Sequence, residues 1–277
     1  MNRKLGLQSE LRIGVVLVTN AHRGLQMGMA EARHAATLLR KSVVFAEQRV
    51  EADPQLVTSA AQRLVEDHRV CAIVGGVDAP TCLALHRFAA VNDVLYFNPA
   101  SSSDELRGLN CSRQTFHVEA SDQMRGDALA LEPSASRTQA LCTTWDSSLV
   151  RYGADTLNAR FHAQFGEDMS DRAWNEWFAI KALWETFART GANSSAQLLA
   201  ALEQSSTRFD GHKGRSLSFR TWDHQLRQPM YVRVQDSAGA TSVSELPVTS
   251  AAGGGAAGLD LLGAKEEARL CQWGARP

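Results

Sequence analysis

The chain reads as an α/β protein built on a parallel sheet flanked by helices. Three observations predict this. Strand-like runs rich in β-branched and aromatic residues recur through the first half of the chain. Each is followed by a stretch with apolar residues at helical spacing. The runs do not alternate apolar with polar residues, as expected of strands covered on both faces.

In order, "RIGVVLV" (Arg12 to Val18) is the first strand and "NAHRGLQMGMAEARHAATLLRK" the helix after it. "SVVFAEQRV" (Ser42 to Val50) is the second strand. "DPQLVTSAAQRLVEDH" is a helix, with Asp53 as N-cap and Pro54 at the first helical position. "VCAIVGG" (Val70 to Gly76), "VLYFNPA" (Val94 to Ala100) and "TFHVE" (Thr115 to Glu119) are the third to fifth strands. "APTCLALHRFAAVND" and "SDQMRGDALALE" are helices. The rhythm stops after Glu132, and "PSASRTQALCTTWDSSLVRYG" has no strong period. Three helical stretches follow: "ADTLNARFHAQFG", "RAWNEWFAIKALWETFART" and "SSAQLLAALEQSS". The Trp and Phe stripe of the middle one is read as core. "SLSF", "MYVRV" and "SVSELPV" are strands, "TSAAGGGAAG" is a flexible segment, and "LDLLGAKEEARLCQWG" is a tail. This divides the chain into 10–132, the βα units; 133–153, a short crossover; 154–248, helices and a hairpin; and 249–277, flexible segment and tail.

Composition narrows the function classes. The 277 residues carry a formal charge of -1, and 44% are apolar. Near-neutrality argues against nucleic acid as a partner. No apolar run reaches the ~20 residues of a membrane span, so no membrane insertion is expected. "MNRKLGLQSEL" lacks the apolar stretch of a signal peptide, which fits a cytoplasmic protein or a mature exported domain equally. Five cysteines include no CxxC and no Cys/His cluster of zinc spacing, so no metal is expected. The GxGxxG match in "GGGAAG" lacks the strand–turn–helix context of a dinucleotide site. No nucleophile has an evident base beside it, so catalysis is not indicated.

Ligands of open parallel sheets bind beyond the carboxyl ends of the strands. Here those ends are "TNAHRG", "GGVDAPT" and "NPASSSDEL". Arg23, Asp78, Thr81, Ala100, Ser101 and Ser102 are therefore candidate ligand residues, with free helix N–H groups beside them for an anion. Asp78 and Ser102 read equally as cap and turn residues. A second candidate is "GHKGRSLSFRTWDHQLRQPMYVRVQ", where Arg215, Arg220 and Arg227 surround Trp222. With Trp145 of the crossover, these offer guanidinium groups and indole plates to a flat anion. The alternative is a structural hairpin, with Asp223 capping the turn and Trp222 packed on the sheet.

These loops, together with "RIGVV", "DPQLVTSAAQRLVEDHRVCAIVGG", "NDVLYFNPASSSDEL" and "TFHVEASDQMRGDALA", resemble the type I periplasmic solute-binding proteins of the branched-chain amino-acid receptor family. "RYGADTLNARF", "AWNEWFAIKALWE" and "SFRTWDHQLRQP" resemble the subgroup associated with PQQ-dependent alcohol dehydrogenase systems. The resemblance implies a non-enzymatic, periplasmic binding protein of an ABC-transporter system, with the permease or the dehydrogenase system as partner. It implies pyrroloquinoline quinone (PQQ), a related carboxylate or an alcohol-oxidation product as bound ligand. It also implies a Cys111–Cys271 disulfide tying the tail to the first lobe. The family places most of a second lobe where only 133–153 stand here, so the second lobe is expected to be reduced or absent. A one-sided site would bind a small anionic molecule by stacking, by charge pairing, or with help from a second chain in a homodimer. The competing functions are a one-lobe sensor or partner-binding remnant without its own ligand, and an unrecognised enzyme.

Overall fold

The computed structural model describes residues 10–18, 22–108, 110–131, 139–236, 238–249, 255–268, 270–271 and 273. The first half contains β1 (Glu10–Leu17), α1 (Arg23–Leu39), β2 (Ser42–Arg49), α2 (Pro54–His68), β3 (Ala72–Gly75), α3 (Ala79–Asn92), β4 (Leu95–Asn98), β5 (Thr115–His117) and α4 (Asp122–Ala130). The five strands form one parallel sheet in the order β2-β1-β3-β4-β5. β1 is buried on both faces. Leu11, Ile13, Val15 and Leu17 face the larger core, beneath α1; Val16 joins the smaller core, with Val57, Ala60 and Leu64 of α2 and Leu85 of α3. That double burial removes the alternation a one-sided strand would show.

The second half contains β6 (Gln139–Thr143), α5 (Ala154–Phe165), α6 (Asp171–Thr190), α7 (Ser195–Leu202), β7 (Phe209–Asp210), β8 (Ser216–Phe219), β9 (Leu226–Arg227), β10 (Tyr231–Gln235), β11 (Thr241–Glu245) and α8 (Gly255–Leu259). α6 closes the larger core. Its Trp174, Trp177, Phe178, Leu183 and Phe187 are buried there, as the stripe predicted. α1 approaches α6 closely because Gly24 and Gly28 lack side chains. A Cβ on Gly24 would lie 2.0 Å from the carbonyl oxygen of Ala173, and one on Gly28 would lie 2.9 Å from Ile180 Cβ.

The crossover departs from expectation. Residues 133–153 were read as aperiodic, yet Gln139–Thr143 is a strand, pairing antiparallel with β10, which in turn pairs with β11. This three-stranded sheet buries Cys142, Met230, Val232, Leu246 and Leu262 against Met124 and Ala128 of α4. Its strand signal is weak because Leu141 stays exposed while the apolar burial is supplied by partners about a hundred residues away in sequence. Among the described residues there is one parallel sheet, and no second one stands between α4 and α5. Of the segment read as flexible, 250–254 lie outside the described residues, while Gly255–Leu259 is helical. Glu132, read as the last residue of a helix, also lies outside them.

The β8–β9 hairpin and the tail cover the β5 edge. His117 N–H donates to His224 O (3.0 Å), and His117 and Gln225 form a parallel bridge. Phe219 packs edge-on against Phe97 and Phe116, and His224 stacks on Phe116 at 4.2 Å. The Cys111–Cys271 disulfide joins the tail to the segment preceding β5.

Candidate functional site

Two loops and the start of α6 form the strand-tip rim. After β3, Gly75 and Gly76 take positive φ angles, 152° and 88°. A Cβ on Gly76 would lie 2.7 Å from Cys82 Sγ, so glycine is required there. The chain then enters α3 through a capping box. Asp78 Oδ1 accepts from Thr81 N–H (2.9 Å) and from the Thr81 hydroxyl (2.6 Å). Both residues thus cap the helix, and Asp78 remains exposed.

After β4, buried Asn98 shapes the loop. Its Oδ1 accepts from Ala100 N–H (3.2 Å) and Ser101 N–H (2.9 Å), and its Nδ2 donates to Ser101 O (2.8 Å). Arg107, also buried, donates to Ser101 O, Ser103 O, Glu119 O and Gln225 Oε1. Burial pulls its pKa down to about 10 against the pull of Glu119 and Asp223, so it stays a cation. These bonds use the backbone N–H groups of Ala100 and Ser101. Ser102 differs: it is half-buried, and neither its N–H nor its hydroxyl has a partner among the described residues.

α6 contributes residues that sequence reading did not single out. Arg172, half-buried in the first turn, places Nη2 3.5 Å from Gly76 O and Nε 3.4 Å from Glu176 Oε1. Both contacts are long, so the guanidinium is loosely held. Glu176 is fully buried; its Oε1 accepts from His22 Nδ1 (2.7 Å), while Oε2 has no partner. His22 Nε2 accepts from Val18 N–H (3.0 Å), which places the ring proton on Nδ1. The Cys82 thiol, raised to about 11 by burial, lies within electrostatic reach of both Arg172 and Asp78 and beside the Ser101 backbone. The β3 loop, the β4 loop and α6 therefore converge. His22 lies within the quoted "TNAHRG". The Arg172–Glu176 pair at i, i+4 was the available signal, masked by the tryptophans around it.

The other sequence candidates do not join this rim. Arg23 opens α1 but turns to Glu167 (2.7 Å) and the Phe165 ring (5.3 Å). Trp145 is 1% exposed, stacked on Trp174 at 5.8 Å, and donates Nε1–H to Asn158. It is a core residue, not a plate for a ligand. Arg220, also 1% exposed, donates to Asp260 Oδ1 (3.0 Å), Leu259 O (2.9 Å) and Leu262 O (2.8 Å). Arg227 donates through Nε to both oxygens of Asp260 (2.8 and 3.0 Å) and through Nη1 to Phe219 O (3.0 Å). Arg220 and Arg227 sit 5.3 and 5.1 Å from the Trp222 ring. These three pin the tail to the β5 edge. Half-buried Arg215 lines a groove beside them. The rim candidates and the hairpin candidates thus have different partners, with Arg107 bonded to both Ser101 O and Gln225 Oε1.

The family model described as periplasmic binding protein matches residues 17–132 and 127–240. The chain belongs to that family. Several solved structures share its fold. A solute-binding protein of an ABC transporter from Rhodopseudomonas palustris BisB5, in complex with 3,4-dihydroxybenzoic acid, is 10% identical with a TM-score of 0.69, covering 86% of this chain and 98% of that one. An ABC-type branched-chain amino acid transporter from Rhodopseudomonas palustris CGA009 is 14% identical (TM-score 0.70), covering 85% and 95%. A branched-chain amino acid transporter substrate-binding protein from Streptococcus pneumoniae, in complex with isoleucine, is 13% identical (TM-score 0.67), covering 85% and 99%. No curated protein matches the sequence. This periplasmic binding protein is thus, by family, a binding protein and not an enzyme. Among its described residues, no helix is long and apolar enough to cross a membrane, and no His, Cys, Asp and Glu cluster could hold a metal.

Proposed function

We propose that this chain captures a small solute through one carboxylate at the strand-tip rim and presents it to an ABC-type permease. The observation that carries the reading is the pairing of unengaged donors with a loosely held cation. Ser102 offers an N–H and a hydroxyl, and Arg172 offers a guanidinium held only by contacts of 3.4 and 3.5 Å. A carboxylate would replace those long contacts with charge-assisted ones. Asp78 supports a single negative charge: its exposed carboxylate repels a second anionic group and suits an amine. The ligands in two of the matching structures, isoleucine and 3,4-dihydroxybenzoic acid, each carry one carboxylate.

PQQ is the finer reading of the same chemistry. It carries three carboxylates on a wide ring and would need the arginines that lie along the β5 edge, so the rim favours the smaller acids. Calorimetric titration with isoleucine, benzoate, 3,4-dihydroxybenzoate and PQQ tests this. At least one acid should bind saturably, and Arg172→Gln should weaken it by ~10- to 100-fold, the worth of a charge-assisted bond. Absence of binding by all four up to ~1 mM, where affinity is only about 4 kcal/mol, would transfer support to the remnant without its own ligand.

A further inference from the structure

Arg107 ends the short 3-10 turn Asp104–Arg107, between β4 and β5, and is 3% exposed. Its Nη1 donates to Ser101 O (3.2 Å) and Ser103 O (2.9 Å), the two carbonyls that flank Ser102. Ser102 carries the N–H and hydroxyl left open for a solute carboxylate. We propose that Arg107 is the positioning residue of the solute site and that Gln225 ties its pose to the hairpin and tail. Solute affinity then depends on Gln225, a residue that never touches the solute. This role rests on the rim reading given above and adds what controls the site.

The cation's partners point to positioning. Among the described residues its remaining bonds go to Glu119 O (2.6 Å) and Gln225 Oε1 (2.7 Å), so all its direct partners are uncharged oxygens. Glu119 and Asp223 act on it only as nearby charges. Burying a guanidinium without a directly paired carboxylate is costly. What the arrangement achieves is geometric. One planar fork with fixed N–H directions holds the β4 loop, the residue beyond β5 and the hairpin in a single relative arrangement, which a point-like ammonium could not do.

Gln225 is fixed from the tail side. Its carbonyl accepts from Arg220 N–H (2.9 Å), and its own N–H donates to Asp223 Oδ1 (3.0 Å). Asp223 Oδ2 lies 3.5 Å from Arg220 Nη1, and Arg220 is bonded to Leu259 O and Leu262 O of the tail. Polar contacts thus run unbroken from the tail to the loop that presents Ser102. Asn98 holds the near half of that loop through the N–H groups of Ala100 and Ser101. Losing the grip of Arg107 therefore loosens Ser102 and Ser103 without dismantling the loop.

Two substitutions in the full chain test this. Gln225→Met removes the acceptor facing Arg107, and Gln225→Glu keeps it. Both lose the Nε2 bonds to Glu119 O (3.0 Å) and His117 O (3.3 Å), so both should lower the melting temperature. Calorimetry with isoleucine, benzoate and 3,4-dihydroxybenzoate is paired with amide exchange of Ser101–Ser103 measured without added acid. Gln225→Met should weaken the acid that binds by ~3- to 30-fold and speed exchange of those amides. Gln225→Glu should restore affinity and slow exchange toward the parent values while its melting temperature stays low. Parent-like affinity and exchange in Gln225→Met would overturn the proposal. So would equal weakening by both variants, because affinity would then follow stability alone. If no acid binds the parent, the rim reading fails by itself, and exchange decides the role of Arg107. Faster exchange in Gln225→Met but not in Gln225→Glu supports it, and unchanged exchange overturns it.

Discussion

Replacing Arg220 by methionine tests how the tail is held. The guanidinium is buried and makes three short contacts, with Leu262 O (2.8 Å), Leu259 O (2.9 Å) and Asp260 Oδ1 (3.0 Å). Hydrogen bonds to a charged group are worth about 1.5–3 kcal/mol each. Their sum overstates the loss, because methionine fills much of the volume and the cost of burying the guanidinium disappears. Against that, Asp223, 2% exposed and 3.5 Å from Arg220 Nη1, loses its counter-charge. Burial already raises the pKa of Asp223 against the pull of Arg220 and Arg107, and without Arg220 it rises further. The balance is a loss of about 3–5 kcal/mol, as for breaking a buried pair from one side. Urea unfolding followed by tryptophan fluorescence measures it, and amide exchange of Leu259–Ala264 localises it. A shift below ~1 kcal/mol, with those amides as protected as in the parent, would refute the hub assignment.

Lys213 is buried 3.4 Å over the Trp174 ring with Nζ on Gln228 Oε1, and burial holds its pKa well below the usual lysine value despite Asp171, Glu119 and Glu245. Between that lowered pKa and ~10.4 the unfolded chain binds the extra proton, so stability rises with pH across this window. Lys213→Met removes the effect, and its stability relative to the parent should be greatest at the acid end and shrink toward pH ~10, as read by paired urea titrations. Gly24→Ala should cost more than ~3 kcal/mol, because its methyl meets a backbone carbonyl at 2.0 Å; a melting temperature within ~2 °C of the parent would contradict the helix contact. Intact-mass analysis should find two further reactive thiols only after reduction, and Cys271→Ser should cost about 2–4 kcal/mol by urea titration.

The parallel sheet was legible because each strand carries its own signal. Ile13 and Val15 face one core and Val16 and Ile73 the other, all of them apolar, and Asp53–Pro54 announces its helix without help from distant residues. The β3 and β4 loops were legible for the same reason, since ligand loops of such sheets follow strand ends. The rim's chemistry was not. Arg172 and Glu176 reach it from a helix nearly a hundred residues beyond the β3 loop, and no local pattern separates them from the surrounding core. The hairpin misled for the opposite reason. Arg, Trp and Asp crowded into one turn describe a ligand cradle and a structural clamp equally well. Only the position of Asp260, a tail residue, decides that Arg220 and Arg227 are occupied. β6 was missed because it owes its burial to β10.

The short β5 strand has a consequence for biogenesis. One of its sides is completed by His224 and Gln225, which are synthesised about a hundred residues after Thr115–His117. Until then, a growing chain displays a row of unmet amides and Phe116 to its surroundings. The nascent βα array is therefore the species most in need of a chaperone, and its vulnerability ends when the clasp of hairpin and C-terminus swings into place.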